Sequence, residues 1–298
     1  MAAVDTGPVT TFEEESAGLR SELTAHAYRM LGSWDEAEDA VQETYLRGYR
    51  SWDGFEGRSS VRTWLYRIAT NVCLDAARDR GRRALPSGLA ADEHAAAHAL
   101  SPVRWLQPFP GDRDDLRLAL VAGMQTLPPS QRAVLLLRDV LQLPADEVAE
   151  ILGTTVPAVK SSLQRARARL ARTAPTPHDV VEPTSPDARR LLDVYVRAFE
   201  TADVRLLTAV LRADATLELV PAGAWFAGKA ACSVVLADAV GTPGEWSMEP
   251  TTANGAPAVV VRRHGEPLGV AVLDVRRDGI AGITVFEDPA LVGRFAST

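Results

Sequence analysis

The sequence predicts a multi-domain protein in which two all-α units precede an α+β unit. Three observations point there. Apolar residues recur at steps of three and four from Phe12 to about residue 173, the signature of amphipathic helices. A stretch holding Pro102, Pro108 and Pro110 splits that run in two. Past a second Pro-rich segment, residues 173–186, the pattern turns strand-like, with Asn254-Gly255 and Asp278-Gly279 as hairpin signals. A chain of 298 residues accommodates two or three domains.

The first helical unit opens with the stripe Leu19, Leu23, Ala27 and Met30-Leu31, broken at Gly32-Ser33. The next helix, 35–50, is expected to bury Ala37, Ala40, Val41, Thr44, Tyr45 and Tyr49. Its other side carries Asp35, Glu36, Glu38, Asp39 and Glu43, and no basic residue falls between Met30 and Leu46. Such a one-sign face is either a solvated surface or a docking surface for a basic partner. After a loop at 51–59, a long helix is expected from Ser60 to about residue 80. Val61, Trp64, Leu65, Ile68, Val72 and Ala76 are read as facing inward. Arg62, Tyr66, Arg67, Thr70, Asn71 and Arg78 are read as facing outward. Between Arg58 and Arg83 there are seven arginines against two acids. Arginines beside exposed aromatics suit single-stranded nucleic acid, on which bases stack and phosphates pair. An ordinary amphipathic helix with a basic exterior fits the same pattern.

In the intervening linker, Trp105 and Phe109 are too apolar for a passive tether, so Val103 to Pro110 is expected to lie extended on a domain surface. His94 and His98 stand at i, i+4 but have no Cys or carboxylate partner nearby, and no metal is expected there. The second helical unit begins with Leu116, Leu118, Leu120 and Val121. It ends in a short amphipathic segment, 143–152, then Gly153, then a helix over 154–172. Val156, Val159, Leu163, Ala166 and Leu170 form the inner stripe of that helix. Lys160, Ser161, Gln164 and Arg165 lie off it, with Arg167, Arg169 and Arg172 beyond. Thr155 is placed to cap the helix, and Pro157 falls in its first turn. From Ile151 to His178 there is no acid against five Lys and Arg residues, a bias that suggests a polyanion. Helix, glycine turn and basic helix make a helix-turn-helix, whose second helix enters the major groove.

In the tail, a helix is expected over 187–211, a strand over 215–220, a turn over 224–228 and a helix through Ala239. Strands are then expected over 246–252, 256–264, 268–276 and 280–286. Glu218, His264 and Asp274 are the acid–base candidates on these strands. No spacing ties them together, so catalysis is not expected. Trp225, Phe226, Trp246 and Phe286 form either a ligand cavity or aromatic core. Cys73 and Cys232 sit in apolar periodic segments and fit a reducing cytosol. Neither a signal peptide nor an apolar run of spanning length is present, so a cytoplasmic location without a membrane partner is expected. The formal net charge of −7 confines any DNA affinity to local patches and favours conditional binding.

The ordered helical segments resemble the extracytoplasmic-function (ECF) sigma factors of RNA polymerase. Residues 27–47, AYRMLGSWDEAEDAVQETYLR, look like the region that grips the clamp helices of core polymerase. Residues 55–83 look like the −10 reading region, and 127–170 look like the −35 reading region. The tail resembles a SnoaL-like, NTF2-like cone, on element order and the AWFAGKAA stretch. The resemblance implies two all-α sigma domains, 12–84 and 112–173. It also implies linkers at 85–111 and 174–186 and a regulatory α+β domain at 187–298. It implies that Asp35, Glu38, Asp39 and Gln42 contact the β′ clamp helices of core RNA polymerase. Phe55 and Asn71 are implied to line a pocket for a flipped −10 base, with Arg62, Tyr66 and Arg67 near that strand. Lys160, Ser161, Gln164 and Arg165 are implied to read the −35 element of promoter DNA. The implied activity is promoter-specific initiation without catalysis or cofactor, with the tail modulating it and open to a small-molecule ligand. Competing readings are a SnoaL-type cyclase or isomerase with a DNA-binding head, in which a small molecule would occupy the tail cavity, and a conventional helix-turn-helix regulator.

Overall fold

The structure, a computed structural model, describes residues 11–78, 83–87, 104–111, 113–173 and 185–295. His94, His98 and Val103 lie outside the described residues, as does most of the second linker. The chain divides into two compact units: Met1–Arg82 with Met124–Arg172, and Arg83–Gly123 with Thr173–Thr298. This differs from the boundaries expected from sequence. The described residues between 83 and 123, which include both ends of the expected linker and the first residues of the second helical domain, group with the tail.

The first unit is helical. Thr11 and Glu14 form a capping box at the start of α1 (Phe12–Ser16), satisfying two end N–H groups reciprocally. α2 (Arg20–Leu31) ends at Gly32, whose φ of 70° is left-handed and whose N–H reaches the Tyr28 carbonyl at 2.7 Å. Ser33 then caps α3 (Trp34–Arg50). α4 (Val61–Arg78) packs on both. Its inward face is rotated from the one expected. Tyr66 and Thr70, read as outward, are buried, and Trp64 and Ile68 are only half-buried. The cause is polar pairing across to α2. Tyr66 donates to Glu22 Oε2 at 3.3 Å, and Thr70 shares a 3.0 Å hydrogen bond with His26 Nε2. The His26 and Tyr66 rings meet edge-to-face at 5.2 Å. Buried polar atoms that are paired lose their desolvation penalty, so they can take core positions that a purely apolar count assigns elsewhere.

The same unit resumes at Met124, in the last turn of α5 (Leu118–Gln125), and continues through α6 (Pro129–Leu135) and a π-helical turn at Leu136–Val140. Then follow α7 (Ala145–Ile151), a turn with Gly153 at φ 60°, and α8 (Val156–Thr173). Arg132 of α6 is buried. It donates to the carbonyls of Met30, Met124, Gln125 and Leu127 and to Gln125 Oε1.

The second unit holds a six-stranded mixed sheet. Its strands are β3 (Leu211–Val220), β4 (Ala224–Ala227), β5 (Trp246–Ala253), β6 (Ala256–Arg263), β7 (Glu266–Arg276) and β8 (Gly279–Phe286), ordered β4-β3-β8-β7-β6-β5. β3 and β8 are parallel and the other pairs antiparallel. The expected turn at 224–228 is strand β4 instead, and His264 leaves β6 for a turn at φ 52°. The single expected helix 187–211 is two, α9 (Pro186–Glu200) and α10 (Val204–Ala209), because Ala202 is left-handed and Asp203 caps the second. One face of the sheet, with Val259, Val261, Ala271 and Leu273, shares a core with Leu191, Tyr195 and Phe199 of α9 and with Cys232 and Leu236 of α11 (Lys229–Ala239).

The alternate residues, Ala258, Val260, Val270 and Val272, are buried as well but stand outside that core. By strand alternation they belong to the other face. α12 (Pro289–Phe295), not anticipated from sequence, packs on β7 and β6. The linker joins this unit too. β1 (Arg83–Ala84) pairs with β2 (Arg104–Trp105), and Pro110 bridges Ala253. Buried Asn254, at the β5–β6 hairpin with φ 53°, accepts from Phe109 N at 2.8 Å and donates to Leu116 O at 2.6 Å. Its own N–H reaches Phe109 O at 2.8 Å. Asn254 thus serves the hairpin and holds the linker with the same residue.

Two stability predictions follow from these contacts. Asn254→Ala leaves the Phe109 N–H and the Leu116 carbonyl unpaired, at about 1–3 kcal/mol each. A urea midpoint should show a loss of about 2–4 kcal/mol, while a loss under about 0.5 kcal/mol would deny the clamp. Burial, then nearby Arg29, lowers the His26 pKa to about 3, below its unfolded value near 6.5. The unfolded chain therefore binds the proton first. Stability present above pH ~6.5 should decline as pH falls towards 3, by at most about 1.4 kcal/mol per pH unit. His26→Gln, which keeps a partner for Thr70, should flatten that dependence in urea titrations at pH 7 and pH 5.

Candidate nucleic-acid interface

α8 is built as its periodicity demands. Val159, Leu163 and Ala166 are buried against the unit, and Val156 and Leu170 are half-buried. Thr155 Oγ1 accepts from Ala158 N at 3.4 Å at the helix start. Lys160, Ser161, Gln164 and Arg165 are all exposed on the opposite face. Arg165 is steered along the helix by bonds to Ser161 Oγ and Ser162 Oγ. Arg167, expected among the outer cations, is held instead by Asp139 of the π-helical turn, through two bonds of 2.9 and 2.6 Å. No acid lies near Arg167 in sequence, so this pairing was not visible in the charge run.

On α3, Asp39 and Gln42 are exposed, and Asp35 and Glu38 are half-buried. The stripe continues into Leu46 and Tyr49, which are 51% and 62% exposed. Tyr49 was expected to be buried. Instead the Phe12 ring meets it edge-on at 6.2 Å and leaves most of it in solvent. Two exposed large apolar side chains at the end of an acidic stripe give that face the mixed character of a docking surface.

The expected −10 residues are not brought into one pocket. Phe55 stacks on Trp52 at 5.4 Å and tilts against Trp64 at 4.9 Å. It lines a hollow of about 580 Å³ with Trp64, Arg58 and Arg67 on one side and Glu147 and Glu150 on the other. Asn71 lines a separate hollow of about 340 Å³ with Arg47, Arg50, Trp64 and Ile68. Trp64 is the wall common to both. Arg62 pairs with Glu22 at 2.9 Å and lies over the Tyr66 ring at 5.0 Å. Burial, reinforced by Glu22, pushes the Tyr66 hydroxyl up to about 12, so it stays neutral. Arg67 pairs with Glu150 at 2.8 Å. Sequence reasoning missed Trp64, Arg47 and Arg50 as lining residues, because Trp64 was counted with the core and the two arginines belong to another helix.

The tail aromatics do not share a cavity. Trp225 and Phe226 are neighbours on β4 and so point to opposite faces. Trp225 is 41% exposed, whereas Phe226 packs on the core. Trp246 packs there too, its Nε1 donating to the carbonyls of Ala239 and Val240. Phe286 is buried outside that cluster. The three acid–base candidates are likewise engaged. Glu218 accepts from Ser87 N at 3.0 Å, and burial raises its pKa. Asp274 pairs with Arg276, and His264 lies 3.5 Å from Glu245. Among the described residues no group of three His, Cys, Asp or Glu could hold a metal, and no helix is long and apolar enough to cross a membrane.

Two helical modules with a helix-turn-helix in the second define a DNA-binding protein. Comparison with known families agrees: Sigma-70 region 2 matches residues 18–83, and Sigma-70, region 4 matches residues 117–170. The ECF RNA polymerase sigma factor SigG of Mycobacterium tuberculosis is 41% identical over 307 residues, covering 95% of this chain and 83% of that protein. SigW of Bacillus subtilis is 33% identical over 151 residues, 49% of this chain and 79% of its own. In fold, the crystal structure of the Mycobacterium tuberculosis ECF sigma factor SigJ matches with a TM-score of 0.64 at 22% identity, covering 93% of this chain and 96% of that one. The chain belongs to the ECF sigma factors of RNA polymerase. As such it binds core polymerase and promoter DNA, a role that involves no turnover of substrate.

The Arg167–Asp139 pair yields a prediction. Asp139→Ala frees a cation at the edge of the reading face. The log–log salt slope of promoter-fragment binding should steepen by about 0.9. An unchanged slope in a fluorescence anisotropy titration would place Arg167 away from DNA.

Proposed function

We propose that this ECF sigma factor holds the β′ clamp helices of core polymerase with α3 and reads the two promoter elements with α4 and α8. Asp35, Glu38, Asp39 and Gln42 supply the polymerase contact, and Leu46 extends it. Lys160, Ser161, Gln164 and Arg165 read the −35 element. Phe55, Arg62, Tyr66, Arg67 and Asn71 serve the −10 region. Tyr66 acts from the core, by orienting Arg62 through the cation–π contact and their shared carboxylate. The observation that carries this reading is the division of α8, with its apolar stripe buried and all four −35 candidates exposed together. This reading places the protein in the cytoplasm with the polymerase.

The tail is assigned a modulating role. Its support is the packing of residues 83–123, which connect the two sigma modules, in the same compact unit as the tail. No ligand is included, since the four candidate aromatics do not converge.

Run-off transcription with purified core polymerase tests the proposal, comparing the full chain with one ending at Ala174. Specific transcripts are expected from at least one of them, and their absence from both would end this reading. Lys160→Ala should weaken promoter binding by about 1–3 kcal/mol in a manner that depends on the −35 sequence. A loss uniform across −35 variants would move Lys160 to the phosphates.

A further inference from the structure

The hollow beside Asn71 holds groups that no role above uses. α3 contributes Arg47, Arg50 and its C-cap Ser51. α4 contributes Trp64, Ile68 and Asn71, spaced at four and three residues and so on one face. Its volume of about 340 Å³ lies within the range of small-ligand pockets, roughly 300–1,000 Å³. The lining combines an aromatic edge, an aliphatic wall, a side-chain amide and guanidinium groups. Those chemistries together match a nucleotide: a planar base for Trp64 and Ile68, a base edge for Asn71, and a phosphate for arginine.

The two arginines are not equivalent. Arg47 pairs with Glu43 of its own helix at 2.7 Å, so its charge is already met. Arg50, exposed one turn further on, forms no ion pair among the described residues. We propose that Arg50 is a phosphate-binding residue, which fixes the backbone of the single-stranded nucleotide whose base enters the hollow at Asn71. This rests on the promoter-opening role proposed above and adds a residue from the polymerase-facing helix to the −10 site. The two functions of α3 then share one rigid element. Its first turns face the polymerase and its last turn faces the melted strand.

A simpler role competes. Cations in the last turn of a helix offset its dipole, and Arg50 lies in the last turn of α3. That role predicts a change in stability and none in DNA binding. The test uses the full chain assembled with core polymerase and a short mixed-sequence single-stranded DNA bearing a fluorophore. Arg50→Ala should weaken binding on the order of five- to tenfold and reduce the salt slope by about 0.7. Arg50→Lys should restore the slope. Asn71→Ala should instead alter which sequences bind best. Neutral methylphosphonates placed singly along the strand should abolish the Arg50→Ala penalty at one linkage only. If Arg50→Ala shifts the thermal midpoint but leaves affinity and slope as in wild type, the phosphate assignment is wrong. If the wild-type assembly itself supports no specific initiation, the parent reading fails instead, so the two failures are distinguishable.

Discussion

A buried guanidinium ties the first helical module to the second by directional bonds. Taking an arginine out of water is costly unless its donors are met, and Arg132 meets them with four backbone carbonyls and the Gln125 side chain. One of those carbonyls belongs to Met30, at the end of α2, and Gln125 Nε2 returns a bond to the neighbouring Arg29 carbonyl at 3.1 Å. Region 2 and region 4 are therefore joined by directional bonds as well as by apolar contact. Burial lowers the Arg132 pKa to about 10, still well above neutrality, so the charge persists and the carbonyls remain obligatory partners. An apolar side chain in its place would leave those carbonyls without their donor.

That joint also sets acids beside cations proposed to meet DNA. Arg67 of the −10 set is paired with Glu150, an acid from α7 of region 4, and the hollow beside Phe55 is walled by Glu147 and Glu150. Arg167 of the reading helix is paired with Asp139. A phosphate reaching either arginine must displace a carboxylate. Exposed pairs of this kind are individually weak, so DNA can displace them at modest expense. The overall charge of −7 is thus expressed locally, as acids set against particular cations.

Much of this was legible in the sequence, where period and chemistry agreed. α8 could be read residue by residue because its stripe and its charge bias mark opposite faces. The sheet strands were placed within a few residues because Asn254-Gly255 and Asp278-Gly279 fix two hairpins. The misreadings share a cause, which is that tertiary partners were invisible. Tyr66 and Thr70 look polar until Glu22 and His26 are found across from them. Residues 224–228 read as a turn, yet pairing of Ala224 to Ala227 with β3 makes that stretch a strand. The break at Ala202 leaves no glycine or proline as a signal. Phe55 and Asn71 were given one pocket by the family resemblance, whereas they line two hollows that share Trp64, a residue the periodicity had counted as core.

The linker shows how a hairpin signal can hold a second meaning. A left-handed residue at a tight turn favours Gly or Asn, and Gly alone would satisfy the geometry at position 254. Asn adds a side chain with one acceptor and two donors, and here it spans from Phe109 N to Leu116 O. Trp105 and Phe109 then have a defined seat: Leu106 and Phe109 are buried, and Trp105 lies against Gly223, where an added Cβ would come within 3.4 Å of its ring. Residues 104–111 and Leu116 are consequently seated on the tail's own β-hairpin. Any rearrangement that draws the modules apart along this chain must pull on that seat. The free energy of the seat, set by a few backbone bonds and two aromatic side chains, therefore enters the cost of extending the linker. That coupling is the physical basis of the modulating role proposed for the tail.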